Sequence, residues 1–330
     1  GNQVSLTYPN GRVVNTTYDP LERKKTISDA SGPIVTYFFA GPSRPVRKDY
    51  GNNTRMVLEY DGAKRTSRTA HVRDPAGAAV VFDDRHYTWD ASNNQVSHDD
   101  LVNAGVRTYS YDSVDRLVRS VRVDNGGAPQ QIDYFLDGVG NRTQVVGGPD
   151  AGLYSCDPTL PEPADCQVNQ YTSTSFDTRI YDKVGGLRST DSTTIQEAFV
   201  WDYRGRLLEH YHSSGTSMAI AHDVFGRALT LLHGGGGATI GFIWTRWQRA
   251  QTTSGGIVQN YVYGKAVDEI VTTQSTANVL HFHADYLQSP VAATDDSGSV
   301  IERYGYGDFG APTFISPSGV ALVASAVGHD

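Results

Sequence analysis

Two imidazoles and a carboxylate alternate along His281-Phe282-His283-Ala284-Asp285, and an extended strand would bring all three to one face, the donor types of a zinc-like site. No fourth ligand and no obvious general base stands beside them in the sequence, so a metal centre is the weaker reading. His210-Tyr211-His212 repeats the spacing, and alternation on a half-exposed strand accounts for it equally well. Gly234-Gly235-Gly236-Gly237 lacks the Lys-Ser/Thr that completes a phosphate-binding loop and precedes no helical pattern, which makes it a hairpin loop. Aspartates recur at 19, 112, 182, 202 and 223, and paired carboxylates are the machinery of glycoside hydrolysis. A catalytic pair is needed once, however, whereas a turn is needed in every repeat. No catalytic, cofactor-binding or metal residue is therefore assigned, and no cofactor is expected.

The aspartates belong to a phrase that keeps returning: an aromatic residue, Asp, a turn carrying Gly or Asn, then Arg and an apolar residue. Copies include Tyr18-Asp19 with Arg23, Tyr111-Asp112 with Arg116-Leu117, Leu136-Asp137 with Gly140-Asn141-Arg142, Tyr181-Asp182 with Gly186-Leu187, Trp201-Asp202 with Gly205-Arg206-Leu207, and His222-Asp223 with Gly226-Arg227. From position 181 the phrase recurs at 201, 222 and 244, after 20, 21 and 22 residues, the length of two short strands and their turns. Asp202 can close an Asx-turn and Gly205 can supply a positive φ, so each copy reads as a hairpin closed by a type I turn and a bulge. Asn at Asn93-Asn94 and Asn141 is expected where a left-handed residue is needed.

An isolated hairpin is barely stable, so each copy must bury an apolar face against its neighbours. Alternation along Gln131–Leu136 and Leu117–Val123 supplies one apolar and one polar face. The fold expected is all-β: stacked antiparallel hairpins in a long sheet that strand twist obliges to curl. Composition agrees, with 34 Gly and 19 Tyr among 330 residues and no sustained helical periodicity. More than about a third of the residues should lie in strands, with no helix beyond roughly three turns. Recurrent aromatics are read chiefly as cross-strand ladders within the core, with sugar stacking or partner anchoring as the functional alternative.

A net charge of −8 with interspersed Lys and Arg lacks the electrostatic footprint of a nucleic-acid binder, and no apolar run is long enough to span a bilayer as a helix. The two cysteines, Cys156 and Cys166, lie ten residues apart in a Pro-rich segment, too few ligands for a metal and the wrong spacing for Cys-x-x-Cys. A local disulfide is the preferred reading, pointing to an oxidising, extracytoplasmic compartment; two reduced thiols in a cytosolic protein are the alternative. Asn15-Thr16-Thr17, Asn52-Asn53-Thr54 and Asn141-Arg142-Thr143 are glycosylation sequons by pattern only.

The phrase resembles the tyrosine-aspartate (YD) repeats of the Rhs family of bacterial surface and toxin proteins, with copies from Tyr8-Pro9-Asn10-Gly11-Arg12 to Tyr304-Gly305-Tyr306-Gly307-Asp308-Phe309-Gly310. His283-Ala284-Asp285-Tyr286-Leu287-Gln288-Ser289-Pro290, followed by Ala293–Val300, resembles the segment that closes the repeat region, departing at Tyr286 and Gln288 where the family has His and Gly. The resemblance gives His283 and Asp285 a structural role. It implies a β-sheet spiral that builds a hollow shell around a C-terminal cargo, with relatives continuing past the segment seen here into a core domain with an aspartyl self-cleavage site and then a variable toxin.

The expected organisation is a YD-repeat segment over 1–146, a Pro-rich insertion with a local disulfide over 147–170, and a second YD-repeat segment over 171–330. The expected function is a noncatalytic, secreted or cell-surface scaffold that encloses or displays another component; a glycan-binding module or carbohydrate-active enzyme is the alternative. Expected partners are the remainder of a parent polypeptide or a neighbouring copy, with an enclosed C-terminal cargo or a surface glycan as further candidates. A start at Gly1 reads as an excised fragment, and the apolar Val320–Val327 tail is expected to add as a strand to another part of the parent or to a neighbouring copy.

Overall fold

The computed structural model describes residues 2–102, 104–156, 169–215 and 217–328. Among them are 29 strands and no helix, and more than half of the residues lie in strands. Within each sheet every strand pairs antiparallel with its sequence neighbour, because two- to six-residue turns leave no length for a crossover. The repeats build two sheets. Fourteen strands run from β1 (Ser5–Thr7) to β14 (Gly152–Leu153), and fifteen from β15 (Thr178–Tyr181) to β29 (Ala321–Leu322). The Cys156–Cys166 pairing expected between them falls outside the described residues at Cys166.

The sheets pack face to face along only part of their length. Val35, Tyr37, Met56 and Leu58 of the first sheet share one apolar core with Val262 and Val271 of the second. Polar bonds stitch the rest of the seam: Tyr8 Oη donates to the Tyr261 carbonyl (2.6 Å), Asn52 Nδ2 to Thr294 Oγ1 (2.8 Å), and Tyr134 Oη to Asp308 Oδ2 (2.7 Å). Among the described residues from Arg179 to Trp244, none joins an apolar cluster shared with the first sheet. Thr190 is the single buried residue among those described in that stretch, and side chains there alternate between half-buried and exposed.

The C-terminal tail corrects an expectation. Ala321–Leu322 does add as a strand, but to the chain's own sheet, pairing with β28 (Pro312–Ile315). Val327 then folds back onto the cluster of Leu280, Phe282 and Tyr304, and the Ser325 hydroxyl donates to buried Glu302 at 2.8 Å. The tail is thus an internal element, held because Glu302 is a fully buried carboxylate that needs donors.

Candidate functional site

Each repeat phrase builds the same turn. In the hairpin of β10 (Gly105–Tyr111) and β11 (Leu117–Asp124), Asp112 Oδ1 accepts the amides of Val114 and Arg116, both at 3.0 Å, and Oδ2 accepts Arg116 Nε at 2.7 Å. Asp202 and Asp223 repeat this with Arg206 and Arg227, and Asp182 accepts the amides of Val184 and Gly186. A bulge precedes the turn, with the pairing shifted between Ser110 and Tyr111 and again between Val200 and Trp201. The amide of Arg116 foremost, then its guanidinium, holds the Asp112 carboxyl below the usual carboxylate range, and Arg206 acts likewise on Asp202. Asp19, Asp112, Asp182, Asp202 and Asp223 are each engaged in their own turns, and the opposed pair that glycoside hydrolysis requires does not form among them.

The third residue after the aspartate must be left-handed. Gly205 has φ 72°, Gly226 86° and Asn93 71°. Asn141 differs from expectation: Gly140 takes the positive φ, while Asn141 stands in the arginine's place, its amide on Asp137 Oδ1 (2.8 Å) and Nδ2 on Oδ2 (2.9 Å). Asn94 does the same for Asp90. Lys64, Asp115 and Gln288 occupy the left-handed position without a glycine's freedom, at φ 72°, 62° and 71°. Lys64→Gly is expected to stabilise the chain by about 1 kcal/mol through relief of this strain; a urea midpoint that fails to rise would contradict it.

Beyond its own turn, the phrase reaches both neighbours. The aromatic carries a donor at its tip that bonds back to the hairpin before: Tyr60 to the Pro45 carbonyl (2.7 Å), Trp89 to Thr66 (2.8 Å), Tyr111 to Gln95 (2.8 Å), Trp201 to Leu187 (2.6 Å) and Trp244 to Ala228 (2.6 Å). Arginine reaches forward, since Arg65 Nη1 donates to the Asp90 carbonyl (2.6 Å), Arg116 to Asp137 (2.8 Å) and Arg206 to Asp223 (3.1 Å). Tyr and Trp interchange because each joins an apolar body to one terminal donor. Sequence reasoning missed these ties, although a signal was present: apart from Leu136, the residue before the aspartate in the copies that made up the phrase is Tyr, Trp or His, each with a donor, and never Phe. Tyr111→Phe keeps the ring and loses the bond, and a destabilisation of about 1 kcal/mol is expected; an unchanged urea midpoint would show that the tie contributes nothing.

The histidine-rich strand β25 (Val279–Ala284) has a different use. His281 Nε2 lies 3.0 Å from Asp296 Oδ1, His283 Nε2 lies 3.0 Å from Thr294 Oγ1, and Asp285 Oδ1 accepts the amides of Leu287 (2.8 Å) and Ser289 (2.9 Å) as another turn aspartate. The three groups diverge, and no cluster of three metal-ligating side chains forms among the described residues. His210 stacks on Phe199 with ring centres 4.9 Å apart and sits 3.2 Å from Glu197, while His212 bonds Ser214. Gly235 and Gly236, with φ 73° and 85°, form a hairpin loop.

Inside the seam, His283 packs against His71 and Tyr50, and His71 Nε2 lies 3.2 Å from the Ala284 carbonyl. Burial lowers the His71 pKa to about 3, helped by Arg85 and Lys48, and burial lowers His98 to about 3 and His283 well below the ordinary range. The unfolded chain would take up protons on these rings below about pH 6.5 while the folded chain refuses them, so stability falls as pH drops from 6.5. Asp83, pushed up to about 6 by burial, opposes this between about pH 6 and 4. With three rings against it, a lower urea midpoint at pH 5 than at pH 7.5 is expected; an equal or higher one would refute the argument.

The fold so defined is a wall of stacked antiparallel hairpins tied by the phrase between them. Solved structures share it. The chain is similar to one in the crystal structure of TcdB2-TccC3-TEV, with a TM-score of 0.63 and 14% identity over 99% of this chain and 18% of that one. It is also similar to a chain of the Photorhabdus luminescens Tc holotoxin pore, with a TM-score of 0.61 and 14% identity over 94% of this chain and 17% of that one. A chain in the crystal structure of TcdB2-TccC3 gives a TM-score of 0.63 at 12% identity, over 98% and 18%. The chain thus spans less than a fifth of the length of these solved chains. No protein-family model matches the sequence, and neither does any curated protein.

Proposed function

We propose that the chain is a noncatalytic segment of the wall of a larger, extracellular YD-repeat protein of the Rhs type, which encloses or displays another component. The observation that carries this reading is the use of the repeated polar residues. Aromatic, aspartate and arginine are each consumed in joining a hairpin to itself and to its two neighbours, as in Tyr111, Asp112 and Arg116. Residues repeated for assembly make a surface whose extent is its function. Likeness to chains of Tc toxin structures supports a place within a multicomponent assembly, with the remainder of a parent polypeptide as partner and a C-terminal cargo as the enclosed component.

Protease protection tests the proposal. In the full polypeptide carrying this segment, the enclosed component should resist added protease that digests it readily in isolation, and Tyr111→Phe combined with Arg116→Lys should shorten the protection. Digestion at the same rate in both settings would overturn the proposal.

A further inference from the structure

Where the two sheets face each other, β8 (Val80–Trp89) to β11 on one side and β26 (Pro290–Thr294) to β28 on the other surround a cavity of about 460 Å³. That volume lies within the range of about 300–1,000 Å³ typical of small-molecule sites. Exposed Leu287, Arg122 and Gly310 mark where it meets solvent. Its tyrosines include Tyr87, Tyr109, Tyr286 and Tyr306. Asp83 lines it at 1% exposure; one carboxyl oxygen accepts Arg85 Nε at 3.0 Å, while Oδ2 has no partner. His98, on the same wall, carries a second unpartnered atom, Nε2. Buried polar atoms without partners cost about 1–3 kcal/mol each and are rare in folded proteins, so two in the lining of one cavity call for an explanation.

We propose that this cavity is a binding site for a neutral sugar of one or two rings. The charges favour a neutral ligand over an anion, since the four arginines of the lining are outnumbered by its five aspartates. Two of those arginines are already turned to main-chain carbonyls, Arg107 to Tyr306 and Arg303 to Phe82, which leaves less cationic capacity for an anion. Sugar hydroxyls donate and accept together, so a ligand of one or two rings carries the groups that both the Asp83 oxygen and the His98 nitrogen lack. The phenol rings offer flat apolar surfaces of the kind against which the C–H face of a pyranose packs. Burial pushes the Asp83 carboxyl up to about 6, so near neutral pH it is mainly ionised and accepts from a sugar hydroxyl. None of these residues belongs to the turn-closing aspartates except Asp285, whose Oδ1 is occupied by two amides.

Calorimetric titration of the 330-residue chain with glucose, galactose, mannose, N-acetylglucosamine, maltose and lactose tests the site, with sodium phosphate and glycine as competing classes. At least one sugar should bind saturably at one site per chain, and Asp83→Asn should weaken it about tenfold, the loss of one hydrogen bond to a buried polar group. Leu287→Trp, on an exposed turn tip at the mouth, should also weaken binding while leaving the thermal midpoint in place, which separates blocked access from failed folding. Saturation by no sugar of the panel, binding of phosphate or glycine in its place, or unaltered affinity in the Leu287→Trp chain would overturn the proposal.

Discussion

Glu269→Ala is expected to destabilise the chain by about 3–5 kcal/mol, among the largest effects available to a single substitution, because it strands a buried cation. Lys48 and Glu269 are 3% and 4% exposed and lie 2.6 Å apart across the seam, Lys48 in a strand of the first sheet and Glu269 in the turn that precedes Ile270–Gln274 of the second. Burial alone would push the Glu269 carboxyl up. Lys48, the Ala266 amide and the Tyr37 hydroxyl outweigh it and leave the group below the usual carboxylate range. The paired change Lys48→Met with Glu269→Leu removes both charges and should recover most of the loss. Urea unfolding of the three chains measures this. If Glu269→Ala cost less than about 1 kcal/mol, water or rearrangement would be serving Lys48, and the seam would be looser than its geometry indicates.

Ending the chain after Leu322 should cost about 3 kcal/mol or more. The eight residues lost contain Ser325 and Ala326, whose hydroxyl and amide both bond Glu302, a carboxylate with 0% exposure. Val327 would leave the Leu280 and Phe282 cluster at the same time. Glu302→Gln in the shortened chain should return part of the stability, since a neutral amide is cheaper to leave buried. Val323→Asp in the complete chain, at a side chain wholly in solvent, should leave the urea midpoint where it was. A shortened chain as stable as the complete one would mean that the tail merely rests on the sheet.

The parts of this fold legible in the sequence are those decided within a few residues. Asp112 and Arg116 are four positions apart, and the geometry that joins them is local, so hairpins and turn aspartates could be read directly. Asn141 shows the limit even there, because Asn serves either as a left-handed residue or as a donor to the aspartate, and only backbone angles distinguish the uses. The seam was not legible. Lys48 and Glu269 are 221 positions apart, and Tyr134 and Asp308 are 174 apart, with alternation alone giving no sign of which face is covered. Tyr286, which stands where the resembled phrase has His, packs against Tyr87 and Trp89 and bonds Gln95 across that seam. The cavity beside it is assembled from both sheets, so its residues carry no common spacing to find.

The backward reach of the aromatic and the forward reach of the arginine, where a copy carries both, give its hairpin a distinct leading and trailing side, complementary to the next such copy whatever its number. A hairpin of roughly twenty residues can therefore be gained or lost by duplication or deletion of one whole unit, and the two sides brought together will still fit. Length becomes an inherited variable that changes by counting. Growth of this kind has one fixed point: the residues of the seam, matched as individuals across 174 to 253 positions, hold their partners only while the number of hairpins between them stays the same.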